Sequence, residues 1–297
     1  MNHFTLPLSD GPLLLKDLLR RLNVSLTLRR KLKKVDGAIR LNGQAVPWQT
    51  LVNPGDTVTI TWPTACRIEP LAMPLTIVFE DEGLLVVDKP AGLLVHPTTD
   101  PTRPSLANAV MHHLCSQNPA ASFHPVHRLD RNTSGLILIA KNPHLQHLLT
   151  RGGDLGIART YQAVIGGVIE PPAGTIDAPI GRHPDSIIER MVRPDGQAAV
   201  TCYETVQIIG PCSVVKLRLH TGRTHQIRVH LSHIGHPILG DDLYGGSTAA
   251  IGRQALHAAA LSFTHPLSGE ALSFSSPFPA DIASLLTKPH AGIITEF

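Results

Sequence analysis

No apolar run in the chain approaches the roughly 20 residues needed to cross a bilayer, and the opening MNHFTLPLSDG has neither the basic nor the apolar segment of a secretory signal. A cytoplasmic protein without a membrane partner is expected. Cysteine is scarce: Cys66, Cys115, Cys202 and Cys212 form no C-x-x-C pair and are too few to staple 297 residues, so free thiols are expected. Aromatics reach only 4%, yet hydrophobic residues at 42% suffice for a folded core. Also missing are a P-loop, a dinucleotide fingerprint, an H-E-x-x-H pair and a G-x-S-x-G elbow, and Ser134 has no assignable base. These absences argue against nucleotide-cradling, zinc-protease and serine-hydrolase chemistry. No internal repeat or low-complexity segment is present.

Charge is the first positive signal. Residues 13–40 hold nine Lys or Arg against Asp17 and Asp36, a local net of +7 in a chain whose total is +3, so the remainder carries −4. Leucines 14, 15, 18, 19 and 22 share one face of a predicted helix over 13–23, with Lys16, Arg20 and Arg21 largely off it. Ser25 is a suitable N-cap for a second, more basic helix, in which Leu28, Leu32 and Val35 share a face and Gly37 is the stop. AIRLNGQAV reads as a hairpin about Asn42-Gly43, and NPGDTVTIT as a turn and strand. A charge run is usually a solvated face, but nine cations on so small an α-α-β-β unit point to phosphate contacts. The segment, taken as residues 12–62, resembles the S-four-type RNA-binding module. That resemblance makes Lys16, Arg20, Arg29, Arg30, Lys33 and Lys34 candidates for RNA contact.

Residues 63–74, PTACRIEPLAMP, contain three prolines and no periodicity and are read as a linker. From 75 to 290 the texture becomes short β-rich runs with occasional helical patterns (SLANAVMHHL, NPHLQHLLTRG). An α+β domain on a largely antiparallel mixed sheet is expected.

Three stretches of that second domain could carry chemistry. HTGRTHQIRVHLSHIGH holds five histidines, 220, 225, 230, 233 and 236, but no ligand signature, cysteine or carboxylate to complete a metal shell. GDDLYGG, residues 240–246, matches no phosphate or cation loop and is read as turn structure. HPVHRLDRNTSGLILIAKN sets Asp130 between Arg128 and Arg131, ahead of an apolar run. Alone, Asp130 would be read as a turn aspartate.

It does not stand alone. DKPAGLLVHP (88–97), HRLDRNTSGLILIAKN (127–142), RTYQAVIGG (159–167), APIGR (178–182) and TGRTHQIRVHLSHIGHPILGDDLYG (221–245) resemble, in that order, the motifs of the RluA-type RNA pseudouridine synthases. The likeness runs from about residue 76 to near 280. It implies an isomerase that detaches the uracil of a uridine within RNA and rejoins it to the same ribose through carbon, without a cofactor.

By this resemblance Asp130 is the catalytic carboxylate, acting either as nucleophile on the sugar or as base on a sugar proton. Arg223 of the GRTHQIR motif is expected to pair with Asp130, and Tyr161 to stack on the uracil. Arg159 stands where many relatives have lysine. Base flipping costs a few kcal/mol of stacking; Arg128 is the candidate to fill the vacated space, or else it contacts a phosphate or Asp130. Ile238 and Leu239 are expected to close over the base and exclude water. Lys89 is as readily structural as a substrate contact. Structured RNA is the expected partner, ribosomal large-subunit RNA ahead of transfer RNA, with a monomer the simplest state. Two rivals are an RNA-binding protein without catalysis and a glycosidic hydrolase, which would need a second carboxylate.

Overall fold

The computed structural model describes residues 3–62, 68–98, 100, 102–118, 122–151 and 156–287. Residues 3–62 build a unit around their own core: β1 (His3–Thr5), β2 (Leu13–Leu14), α1 (Leu15–Arg21), α2 (Leu26–Leu32), β3 (Ile39–Leu41), β4 (Gln44–Ala45), β5 (Leu51–Val52) and β6 (Thr57–Ile60). Strands β1-β6-β3-β4 form one sheet, and β2 pairs with β5. Leu15, Leu18, Leu19, Leu28 and Leu32 are buried in one cluster with Val52, Val58 and Ile60, as the amphipathic spacing requires. Ser25 Oγ caps α2 by accepting from the Leu28 N–H at 3.2 Å. Asn42 and Gly43 take φ of 47° and 85°, the positive values of a two-residue hairpin turn.

Some boundaries move from their expected places. Leu13 and Leu14 are drawn into pairing with Val52 and Leu51, so α1 begins at Leu15. The second helix ends at Leu32, which leaves Val35 exposed and Gly37 beyond the helix. β1 pairs with β6 and Leu6 joins the core, so the unit begins before residue 12. Of the expected linker, residues 63–67 lie outside the described residues, whereas Ile68 packs on the second core and the Asn108 Nδ2 donates to the Glu69 carbonyl. The expected end at 290 also lies outside the described residues.

The second unit contains β7 (Thr76–Glu80), β8 (Leu84–Lys89), α3 (Leu106–Gln117), β9 (His124–Pro125), β10 (Ser134–Ala140), α4 (Pro143–Thr150), β11 (Ala158–Gly166), β12 (Ala173–Asp177), β13 (Ile180–Arg182) and β14 (Arg190–Val192). It continues with β15 (Val200–Ile209), β16 (Cys212–Leu219), α5 (Gln226–His233), β17 (Leu256–Thr264), β18 (Ala271–Ser275) and α6 (Ala280–Thr287). The main sheet runs β12-β15-β16-β11-β17-β10-β8-β7, with β18 beside β17 and β9 beside β10. Only the β10–β17 pairing in it is parallel, so the α+β, largely antiparallel class is observed.

The apolar run GLILIA is explained by burial on both faces of this sheet. With a side-chain period of two, Ile137 and Ile139 join Leu85 and Val87 in the core under α3 and α5, while Leu136 and Leu138 join Leu84 and Val86 under α4. The two units meet where Trp62 stacks on His144 at 5.0 Å between ring centroids, with Phe4 edge-on at 6.2 Å. Burial lowers the His144 pKa to about 4, so a neutral ring is stacked there.

β10 starts at a point of close approach. Gly135 has φ +109°, and a Cβ there would lie 2.4 Å from the Ala258 carbonyl oxygen on β17. Gly135→Ala is expected to destabilise the fold by about 3 kcal/mol through overpacking and backbone strain. A urea midpoint equal to wild type would show that β10 and β17 separate without cost.

Candidate active site

Asp130 lies in the loop between β9 and β10, and that loop is pinned from several sides. The Leu138 N–H donates to His127 Nε2 at 3.1 Å, and the Thr133 N–H closes a turn onto the Asp130 carbonyl at 3.1 Å. Burial lowers the His127 pKa to about 3, so its ring stays neutral and able to accept. Arg253 donates to the Asn132 carbonyl at 3.0 Å and is itself held by Asp281 through two bonds of 2.7 and 2.9 Å.

Lys89 anchors the same loop. It is fully buried at the end of β8, and its Nζ donates to the carbonyls of Pro90, Leu93 and Arg131 at 2.7, 2.9 and 3.1 Å. Its geometry is that of structural support. Burial pulls its pKa from 10.5 to about 7, against the attraction of Asp130. A lysine with a depressed folded-state pKa imposes a cost that is fully present below about pH 7 and is relieved as pH rises toward 10.5. Wild type should therefore gain stability relative to Lys89→Met between about pH 7 and pH 9, by up to about 1.4 kcal/mol per pH unit. Denaturation midpoints that keep a constant difference over that range would mean that the three carbonyls retain the ammonium.

The cation beside Asp130 is Arg228, not Arg223. Arg228 on α5 places Nη1 3.4 Å from Asp130 Oδ2, while its Nε and Nη2 each reach Asp241 at 2.7 Å. Arg223 turns away and donates from Nε to the Ala198 carbonyl at 2.9 Å. The reason is local. His225 adopts φ 57° immediately before α5, so Arg228 falls within the helix facing the loop, whereas Arg223 precedes that bend. Buried Gln226 fixes the bend by accepting from the Arg223 N–H and the Thr221 hydroxyl and donating to the Val200 carbonyl.

GDDLYG, read from the sequence as a turn, supplies the support for Arg228. Asp241 is completely buried, and the Tyr244 ring lies 4.9 Å beneath the guanidinium. Tyr244 Oη also meets His225 Nδ1 at 2.8 Å, and His225 Nε2 stands 3.9 Å from Asp130 Oδ1. Burial lowers the His225 pKa below its ordinary value while Asp130 opposes the shift. Asp241 and His225 were missed because only the fold brings His225 to Asp130 and Asp241 to the arginine beside it. The second carboxylate that a hydrolase would require is thus adjacent, but buried and bound bidentately by Arg228, it has no oxygen free for substrate.

A cavity of about 200 Å³ opens over these groups. Among its lining residues Asp130 is the only carboxylate, and Arg128, Arg159, Arg223 and Arg228 share the wall with Tyr161 and apolar Val126, Leu129, Leu219, Ile227 and Leu256. Tyr161 is buried, and burial raises its pKa to about 12, so it enters the site as a neutral phenol. Arg159 lies across Gly222, where an added Cβ would come within 3.3 Å of its Nη1. Arg128 is exposed and makes no hydrogen bond or ion pair among the described residues. Asp130 is thus partnered by Arg228 and His225 and not by Arg128.

Ile238 and Leu239 do not close over the cavity. Both are buried in the main core, where Ile238 bridges to Ile165 and the Leu239 N–H donates to the Val164 carbonyl, and neither lines the site. In the first unit Lys16, Arg30, Lys33 and Lys34 are exposed and Arg29 is half-buried, while Arg20 is paired with Asp17 at 2.8 Å and Lys33 lies over the Trp48 ring. Among the described residues no three His, Cys, Asp or Glu side chains cluster as metal ligands do, and no helix is long and apolar enough to cross a membrane.

The family model for RNA pseudouridylate synthase matches residues 83–233, which span Asp130, Tyr161 and Arg228. The chain is 42% identical over 275 residues to the uncharacterised RNA pseudouridine synthase YjbO of Bacillus subtilis, covering 91% of this chain and 97% of that one. It is 38% identical over 237 residues to the ribosomal large subunit pseudouridine synthase D of Haemophilus ducreyi, covering 74% and 72%. Among solved structures, human RNA pseudouridylate synthase domain containing 4 aligns with a TM-score of 0.57 at 26% identity, over 70% of this chain and 90% of that one. These matches, over a cavity whose lining includes four arginines and a single carboxylate among the described residues, make the chain a member of the RNA pseudouridylate synthase family, an isomerase acting on RNA.

Proposed function

We propose that this enzyme isomerises specific uridines of large-subunit ribosomal RNA with Asp130 as the catalytic carboxylate. The observation that carries the reading is the pairing of Asp130 with Arg228 in a cavity that has no other acid among its described lining residues. Asp130 receives only the longer 3.4 Å contact, because Asp241 takes the two short bonds. It is therefore oriented without being covered, and its oxygens can attack the sugar carbon or take a sugar proton. Tyr161 offers a neutral face for the uracil, and the apolar wall limits water at the detached base. The ribosomal substrate rests on relatives named for the large subunit.

The first unit's exposed cations are assigned to salt-sensitive contacts with structured RNA. Arg128, exposed and lining the cavity, is assigned to the space left by the flipped base. The deciding experiment maps pseudouridines by carbodiimide labelling and reverse-transcription stops in cells lacking the protein, re-supplied with wild type or Asp130→Asn. A stop in large-subunit RNA restored only by wild type supports the proposal. A stop in transfer RNA moves the substrate, and restoration by both proteins removes Asp130 from its role.

A further inference from the structure

A second cavity, of about 320 Å³, lies on the other side of Gly222, Arg223 and Thr224, which wall both it and the Asp130 cavity. Its remaining lining comes chiefly from the β13–β14 hairpin and residues 195–197. Arg182 and Arg190 are register partners on that hairpin, so their side chains leave the same face directly opposite each other. Like charges so placed are destabilising. Arg223 is a third guanidinium on the cavity, with its Nε engaged by the Ala198 carbonyl.

Among the described residues no acid is within ion-pair distance of these three arginines. The one carboxylate lining the cavity, Asp195, is occupied by Arg193, which chelates it through Nε and Nη2 and donates from Nη1 to the Arg182 carbonyl. Arg190 Nη1 is spent on the carbonyls of Ile188 and Glu189, while the Arg182 side chain has no partner among the described residues. The hairpin is also tied to the site, because the Arg190 N–H donates to the Tyr244 oxygen that meets His225.

We infer that this cavity binds a backbone phosphate of the RNA substrate adjacent to the uridine held over Asp130, with Arg182 and Arg223 as its ligands and Arg190 adding charge. The inference rests on the proposed reading of the first cavity. A uridine placed there carries a phosphodiester on each side of its ribose, and across the shared wall 222–224 lies a cavity lined by three arginines that have no acid partner among the described residues. An anion between Arg182 and Arg190 would remove their mutual repulsion, which accounts for a like-charge pair the hairpin itself does not need.

The test uses the full-length protein and an in vitro transcript of large-subunit ribosomal RNA. Affinity is measured from about 50 to 200 mM salt, for wild type, Arg182→Gln and Arg223→Gln. Each lost phosphate contact lowers the magnitude of the log–log salt slope by about 0.7 to 0.9, so the fall in affinity over that range shrinks roughly threefold. Arg182→Gln should also melt no lower than wild type, and inorganic phosphate should raise the melting temperature of wild type more than that of the variant. Slopes equal to wild type in both variants overturn the inference, as does a lower melting temperature for Arg182→Gln with an unchanged slope, which marks a structural residue. Reduced slopes with a wild type that converts no uridine would leave the phosphate site standing and remove the catalytic reading instead.

Discussion

Asp130→Asn is expected to lower uridine isomerisation by at least about a thousandfold while RNA affinity stays within a few-fold of wild type, since an amide can neither attack the sugar nor accept its proton. The substitution keeps the side chain's size, and the loop around it is held by other groups: His127 on the Leu138 amide, Lys89 on the Arg131 carbonyl and Arg253 on the Asn132 carbonyl. Folding should therefore survive. Single-turnover conversion of a radiolabelled transcript, read beside a filter-binding titration, separates the two effects. Weakened binding together with slow conversion would make Asp130 a contact for RNA, and unchanged conversion would end its catalytic assignment.

Arg228→Ala is expected to cost about 3 to 5 kcal/mol of stability as well as activity, because it leaves the fully buried Asp241 carboxylate without its partner. Arg223→Ala, at an exposed position whose guanidinium bonds one carbonyl, should stay within about 0.5 to 1 kcal/mol of wild type. Arg228→Lys preserves the charge but not the planar fork that spans both Asp241 oxygens, and it should fall between them. Urea denaturation of the three variants ranks them. If Arg223→Ala proves the more damaging, the assignment of Arg228 as the central cation is wrong.

The placement of Asp241 also bears on the chemistry. A guanidinium bound by Asp130 alone would be free to close on it with a two-point pair, and an attacking carboxylate would then be masked by its own partner. Two bonds of 2.7 Å to Asp241 and the Tyr244 ring beneath hold Arg228 back at 3.4 Å. Orientation and availability of Asp130 are thereby provided by separate residues.

How much of this was legible in the chain depended on how local each feature is. The α+β class, the positions of the two helices of the first unit, the Asn42-Gly43 turn and the strands of the second unit follow from periodicity and turn chemistry within a few residues. Asp130 and Tyr161 were legible because each lies in a short ordered motif, and both line the same cavity although 31 positions separate them in the chain. The choice between Arg223 and Arg228 was not legible, since both belong to one motif, and the left-handed residue at His225 decides which of them faces Asp130.

Charge segregation by itself set apart a basic first segment, and the resemblance of the ordered motifs to those of the pseudouridine synthases pointed to an isomerase in the second. Tertiary structure alone decided which cation meets Asp130, that Ile238 and Leu239 serve the core instead of the cavity, and that Asp241 and Tyr244 support the site. The physical reason is separation: 98 positions separate Asp130 and Arg228 along the chain. Whether a buried leucine covers a substrate or a neighbouring strand is a property of what packs against it, and periodicity, which records only that a side chain turns inward, is the same in both cases.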